Sequence, residues 1–167
     1  MAEVLKVAAV LDRSLFDHLA DDHEMITRAI EIKASVVEAD EEERSGHRAL
    51  LNFGHTIGHA LEVVTDYAHF RHGEAVSIGM VAEAQLGARL GITDPGAAPF
   101  LRAQLEAAHL PTDLPRSLDP AALIHAMRRD KKASEGRLAS ALVTDLGAGR
   151  LFPNVPEDAV RAIIAGG

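Results

Sequence analysis

The residues best equipped for chemistry are crowded into one stretch, Arg48-Ala-Leu-Leu-Asn52-Phe-Gly-His55-Thr-Ile-Gly-His59-Ala-Leu-Glu62. Read as a helix at about 100° per residue, it sets Arg48, Asn52, His55 and His59 in one stripe, at i, i+4, i+7 and i+11. Leu50, Phe53, Ile57, Leu61 and Val64 fall on the opposite side, so one face is core and the other is free for polar work. A plain solvent face is usually Lys, Glu, Gln and Ala, the good helix formers; Asn, two His and adjacent glycines are a different choice. Gly54 and Gly58 weaken a helix, which implies that something comes close to that backbone.

His55 and His59 have the spacing of a metal pair, a spacing that ordinary surface helices also show. His72 and Glu74 offer further donors, with His69 nearby. The chain has no cysteine, so a metal must rest on imidazole and carboxylate. Held by His55, His72 and one carboxylate, it would keep a coordination position open, as catalysis requires. Glu3 and Lys6, at i and i+3, offer the carboxylate and a cation, although spacing alone favours a surface ion pair worth less than about 1 kcal/mol. Lys33, Arg48 and the pair Lys131-Lys132 are the remaining cations of interest. Arg48 suits bidentate contact, and the set points to a small substrate bearing carboxylate or phosphate.

The elements that position these groups are expected to be helical. A chain of 167 residues with 47% hydrophobic content suffices for one domain with a real core, and 4% aromatics with frequent alanine favours small-residue helix packing. A net charge of −8 argues against a nucleic-acid partner. No signal-peptide pattern and no apolar run of membrane-spanning length are present, so no membrane association is expected and the cytoplasm is the expected location.

The periodicity predicts a helix over 3–19, with Val4, Ala8, Leu11, Leu15 and Leu19 on one face, ended by Asp21-Asp22-His23. A second, over 24–38, carries Ile26, Ile30 and Val37, with Lys33 where another aliphatic belongs. An inward lysine needs an anion, unless its stem packs and its head reaches water. Residues 40–46 read as a solvated charged loop. His72-Gly73-Glu74 opens a long helix to about Leu90, ended by Gly91, in which Gly79, Ala82 and Ala84 permit tight packing. The turn Asp94-Pro95-Gly96 leads to a helix over 97–108, and Asp119-Pro120 starts another that runs to Arg129. Strands at 138–143 and 150–152 around Gly147-Ala148-Gly149 form a small β-hairpin, and Pro156 precedes a last helix to Ile164. There is no repeat, no glycine-rich dinucleotide fingerprint and no phosphate loop.

The string from Arg48 to Glu62, followed by His72-Gly-Glu-Ala-Val-Ser-Ile-Gly-Met80, resembles the signature of the 3-dehydroquinate synthase family, the shikimate-pathway members of the sugar phosphate cyclases. Ala2-Glu-Val-Leu-Lys6, Lys33-Ala-Ser-Val-Val-Glu-Ala-Asp-Glu41 and Arg129-Asp-Lys-Lys132 agree with it, in family order. The resemblance implies a lyase that turns 3-deoxy-arabino-heptulosonate 7-phosphate into 3-dehydroquinate and phosphate, on the route to chorismate and the aromatic amino acids. NAD transiently oxidises a ring carbon, phosphate is eliminated, the carbonyl is reduced again, and ring opening with an intramolecular aldol step closes the carbocycle. Zinc or cobalt is the implied metal, with Glu3, His55 and His72 as its ligands. Lys6, Lys33, Arg48, Asn52, His59 and one of Lys131 or Lys132 are the implied substrate-binding and proton-handling groups. The implied fold is the mainly α, multi-helix C-terminal domain of such enzymes with its small hairpin, a single domain over 1–167.

Family members are roughly twice this length and bind NAD through an N-terminal α/β domain. Residues 1–167 lack that half, so the expectation is a C-terminal domain alone, with no NAD-binding residues of its own and weak zinc binding. The expected partners are an anionic sugar phosphate and either a second copy in a homodimer or a separate NAD-binding chain. A sibling cyclase making an aminocyclitol or valiolone precursor is the first alternative, disfavoured by Asn52 and the Asp-Lys-Lys segment. An alcohol dehydrogenase of the glycerol dehydrogenase type and a non-catalytic helical module are the others.

Overall fold

The computed structural model describes residues 1–18, 21–42, 46–130 and 138–166. Helices α1 (Ala2–Val10), α2 (Asp22–Ala39), α3 (His55–Val64), α4 (His72–Arg89), α5 (Ala97–Ala107) and α6 (Pro120–Asp130) precede an antiparallel hairpin, β1 (Leu138–Asp145) and β2 (Ala148–Val155). Helix α7 (Glu157–Ala165) closes the chain, and the expected mainly helical domain with a C-terminal hairpin is what the protein forms. None of the helices among the described residues is long and apolar enough to cross a membrane.

Helix α4 is the centre of the architecture. Its residues from Ala75 to Ala84 are all buried, as expected of a helix that is apolar nearly all round. Val76, Met80, Val81 and Ala84 join one hydrophobic cluster with α1, α5 and β1. Ala75, Ile78, Ala82 and Leu86 join a second cluster with α3, α6 and α7. Each fully buried large aliphatic in them contributes roughly 1.5–3 kcal/mol.

Helix α3 lies close against α4. A Cβ added at Gly79 would sit 2.0 Å from the Gly54 carbonyl oxygen, and one at Gly58 would sit 3.1 Å from that of Ala75. The glycines that cost helix stability therefore admit the backbone of α4. Gly54 also has φ +78°, a left-handed conformation that suits glycine.

The expected helix from Arg48 through His59 is in fact two pieces. Arg48–Asn52 is a 3-10 turn, Gly54 reverses the chain, and α3 starts at His55. The apolar side is as expected, with Leu50, Phe53, Ile57 and Leu61 buried. The expected helix over 3–19 also divides. Asp12 Oδ1 accepts from the Ser14 N–H at 2.9 Å and the Ser14 hydroxyl at 2.7 Å, and a 3-10 turn over Arg13–His18 follows.

In α2, capped by Asp21 through the Glu24 N–H, the buried stripe is Met25, Ala29 and Val36 rather than Ile26 and Ile30. Ile30 is 62% exposed, and the true stripe lies one residue earlier than the periodicity indicated. Lys33 is correspondingly not an inward lysine; its side chain is 50% exposed. Of the loop expected over 40–46, residues 43–45 lie outside the described residues, and Asp40 is not solvated: it is buried and accepts from the Arg48 N–H at 3.1 Å.

Candidate metal centre

Three helices deliver the polar groups to one place. His55 is the first residue of α3 and His59 sits one turn later, while His72 is the first residue of α4. The ring centroids are 5.1 Å apart for His55 and His59, 5.3 Å for His55 and His72, and 5.8 Å for His59 and His72. One nitrogen from each of the three falls within 4.8 Å of the others. From α1, Glu3 brings Oε1 to 3.5 Å from His55 Nε2.

Lys6 is no surface ion-pair partner. Its side chain is 2% exposed, and its ammonium donates to both Glu3 oxygens at 2.9 Å. Lys33 reaches the same carboxylate across the helix pair, at 3.4 Å. Burial pushes the Lys6 ammonium below its ordinary value, aided by the charge of Lys33 and opposed by Glu3. Burial would raise the Glu3 carboxyl, but Lys6, with His55 and Lys33, holds it lowered on balance. His55 is pushed down to about 4 by burial and by the Lys6 charge, against the pull of the Phe53 carbonyl and Glu3. It is a neutral imidazole at pH 7, the form that binds metal.

Hydrogen bonds to the far ring nitrogens orient two of these rings. His55 Nδ1 lies 3.1 Å from the Phe53 carbonyl oxygen, which can only accept, so the proton is on Nδ1 and the lone pair on Nε2. That lone pair and the Glu3 oxygen face each other across 3.5 Å, an arrangement that a cation satisfies. His72 Nδ1 lies 3.1 Å from Oε1 of Glu62, a largely buried carboxylate, which leaves Nε2 of His72 for a ligand. Imidazole nitrogens beside a carboxylate form the donor set that zinc and cobalt take, so the residues fit such a metal. Glu3 must then yield to it an oxygen now shared with Lys6.

The remaining expected residues are placed differently. Arg48 and Asn52 stand on the 3-10 turn before Gly54, so the single stripe with the histidines is not formed. The Arg48 guanidinium donates to the Glu41 carbonyl at 3.1 Å, and Asn52 is exposed. His69 is exposed beside Phe70, and Glu74 accepts from the Arg71 N–H at 2.8 Å, capping α4. Lys131 and Lys132 lie outside the described residues.

Two carboxylates at the site went unmarked in the sequence. Glu62 ends the histidine string and its role needs the fold to be seen. Glu83 is 0% exposed and accepts from the N–H groups of Gly54 at 2.8 Å and Ile57 at 3.0 Å. Its position between Ala82 and Ala84 in an apolar helix was the available signal.

The profile of the family described as 3-dehydroquinate synthase C-terminal matches residues 1–133. The 3-dehydroquinate synthase of Nostoc punctiforme is 38% identical over 180 residues, covering 99% of this chain and 49% of that protein. That of Xanthomonas oryzae pv. oryzae is 42% identical over 183 residues, with 99% and 49% covered. The chain thus spans about half the length of the curated relatives it matches. Among solved structures, 2-epi-5-epi-valiolone synthase of Streptomyces hygroscopicus, with NAD+ and Zn2+ bound, superposes with a TM-score of 0.83 at 24% identity, over 99% of this chain and 49% of that one. A 2-deoxy-scyllo-inosose synthase complexed with carbaglucose-6-phosphate, NAD+ and Co2+ gives 0.79 at 24% identity, over 100% and 50%. At such identity the structural likeness is one of fold. The sequence match over most of the chain goes further: this chain belongs to the 3-dehydroquinate synthase family and corresponds to its C-terminal domain.

Proposed function

We propose that this chain is the metal- and substrate-binding half of a cytoplasmic 3-dehydroquinate synthase, a phosphate-eliminating lyase of the shikimate pathway acting on 3-deoxy-arabino-heptulosonate 7-phosphate. The observation that carries the reading is the convergence of His55, His59 and His72, one nitrogen of each within 4.8 Å of the others, with Glu3 Oε1 3.5 Å from His55 Nε2 and the buried Lys6 ammonium on the same carboxylate. Glu3, His55 and His72 would hold Zn2+ or Co2+, a Lewis acid that polarises substrate hydroxyls.

The chain's own groups do the rest. Both Glu3 oxygens are engaged by Lys6, so a cation at Glu3 frees part of the Lys6 ammonium for an anionic substrate oxygen. Burial lowers its proton affinity, which makes it a readier proton donor than an exposed lysine. His59, beside His55 and His72, handles a proton at the substrate hydroxyls. Arg48 clamps the carboxylate or phosphate, Asn52 hydrogen-bonds a hydroxyl, and Lys33 with one of Lys131 or Lys132 completes the cationic wall.

No residue of this chain is assigned to NAD+. That cofactor belongs to an NAD-binding half, supplied in the same polypeptide or by a partner chain, and a homodimer is the expected assembly. Turnover by these 167 residues alone is not expected. A sibling cyclase is the second reading, favoured by the valiolone and inosose synthase superpositions; the higher identity to 3-dehydroquinate synthases outweighs it.

The deciding experiment joins the NAD-binding half of the Xanthomonas relative to this chain and follows phosphate release with NAD+ and Zn2+. Release from the heptulosonate phosphate and not from glucose 6-phosphate is expected. The opposite preference, or no release from a folded chimera that binds both NAD+ and zinc, contradicts the reading.

A further inference from the structure

We propose that Glu83 is the positioning residue for His55, acting through the peptide that joins Phe53 to Gly54. The Gly54 N–H and the Phe53 carbonyl are the two ends of one planar unit. Glu83 Oε2 accepts from that N–H at 2.8 Å, and the carbonyl accepts from His55 Nδ1 at 3.1 Å. Carboxylate, peptide and imidazole thus form one relay, ending at Nε2, the atom that faces Glu3. Bonds in series polarise one another, so the carboxylate makes the carbonyl a better acceptor and the imidazole a better electron donor.

The fold leaves little choice about where such a group comes from. Helix α3 needs its first N–H groups satisfied, a task ordinarily done by a side chain at the cap position. That position is Gly54, where an added Cβ would lie 2.5 Å from Met80 Cγ and 2.8 Å from the Val76 carbonyl oxygen. The cap must therefore cross from another helix, and Glu83 supplies it from α4 with both oxygens, the second on Ile57 N–H. Burying a carboxylate completely is costly unless its partners are fixed, and these partners are backbone. Beyond capping, the same contact fixes the plane against which the His55 ring is aligned.

The consequence for metal affinity rests on His55 being a ligand; the consequence for the tautomer does not. In the metal-free chain, nitrogen-15 shifts of the His55 ring are expected to report Nδ1–H, and an Nε2–H ring overturns the relay. Glu83→Gln keeps the shape but turns an N–H2 toward a backbone donor. It is expected to weaken Co2+ binding roughly 10- to 100-fold and to change the visible Co2+ absorption bands, with unchanged far-ultraviolet circular dichroism. Parent-like affinity and bands in that variant overturn the proposal, and if it does not fold the tautomer in the parent decides. His55→Ala separates the two readings. Unchanged Co2+ affinity there removes the metal-ligand assignment, whereas loss there with no change in Glu83→Gln removes the relay alone.

Discussion

Lys6 and Glu3, one turn apart on α1, form a double contact in which the ammonium donates at 2.9 Å to each carboxylate oxygen. The lysine is buried and the glutamate is partly open to solvent. The carboxylate can therefore turn one oxygen to another cation while the other keeps its bond to Lys6.

Lys6→Met tests that competition. Removing the ammonium frees Glu3 Oε1, leaves Oε2 with only the longer 3.4 Å contact of Lys33 and removes a repelling charge, so zinc affinity is expected to rise about three- to tenfold, or about 1 kcal/mol. The chimera described above should lose phosphate release at the same time. A competition titration with a chromogenic chelator gives the affinity, and a weaker site in Lys6→Met would contradict the competition.

Glu62→Gln and Glu74→Gln form a contrasting pair. Glu62 accepts from His72 Nδ1, whereas Glu74 caps the α4 backbone. Glu62→Gln should weaken zinc roughly tenfold with little change in stability. Glu74→Gln should leave zinc affinity alone and lower stability by about 0.5–1 kcal/mol. Zinc titration and urea melts of both variants decide, and equal zinc affinities would remove the orienting role of Glu62.

Gly79→Ala probes the close approach of α3 and α4. Its Cβ would fall 2.0 Å from the Gly54 carbonyl oxygen, so the helices must part, at about 3 kcal/mol or more. Gly91→Ala, in open space with φ +70°, should cost only about 1 kcal/mol. Equal urea midpoints for the two variants would contradict the packing.

Asp12 gives a pH signature. The Ser14 hydroxyl bond, ahead of the smaller effects of the Ser14 N–H and Arg28, holds its carboxyl below the ordinary value. A group lowered in the folded state stabilises above its unfolded pKa, about 4, and that contribution is lost as pH falls through the lower folded value. Ser14→Ala should therefore cost at most about 1 kcal/mol at pH 7, given the partial exposure of Asp12, with the difference fading below about pH 4. Thermal melts at both pH values check it; a difference that grows on acidification would give the wrong sign.

What was legible in the sequence follows from how local each signal is. Asp119-Pro120, Asp94-Pro95-Gly96 and Gly147-Ala148-Gly149 mark their turns within a few residues, and the structure has boundaries there. The string from Arg48 to Glu62 marked the site, because two histidines and two glycines are poor choices for an ordinary surface. The break at Gly54 was hidden because the apolar spacing runs on across it. In α2 the apolar residues at 25, 26, 29, 30, 32, 36 and 37 make two overlapping stripes, and only packing against the rest of the chain selects the first. The spacing thus points to Lys33 as the inward lysine, while the buried one is Lys6, whose partner lies a single turn away. Glu83 was hidden for the opposite reason, as its partners are 26 and 29 residues upstream.

The most direct measurement of the central claim is zinc binding to the metal-free chain and to Glu3→Gln, His55→Ala and His72→Ala by calorimetric titration. One equivalent is expected in the parent, with each substitution lowering affinity by at least about tenfold while the fold survives. Parent-like zinc affinity in all three variants would contradict the account.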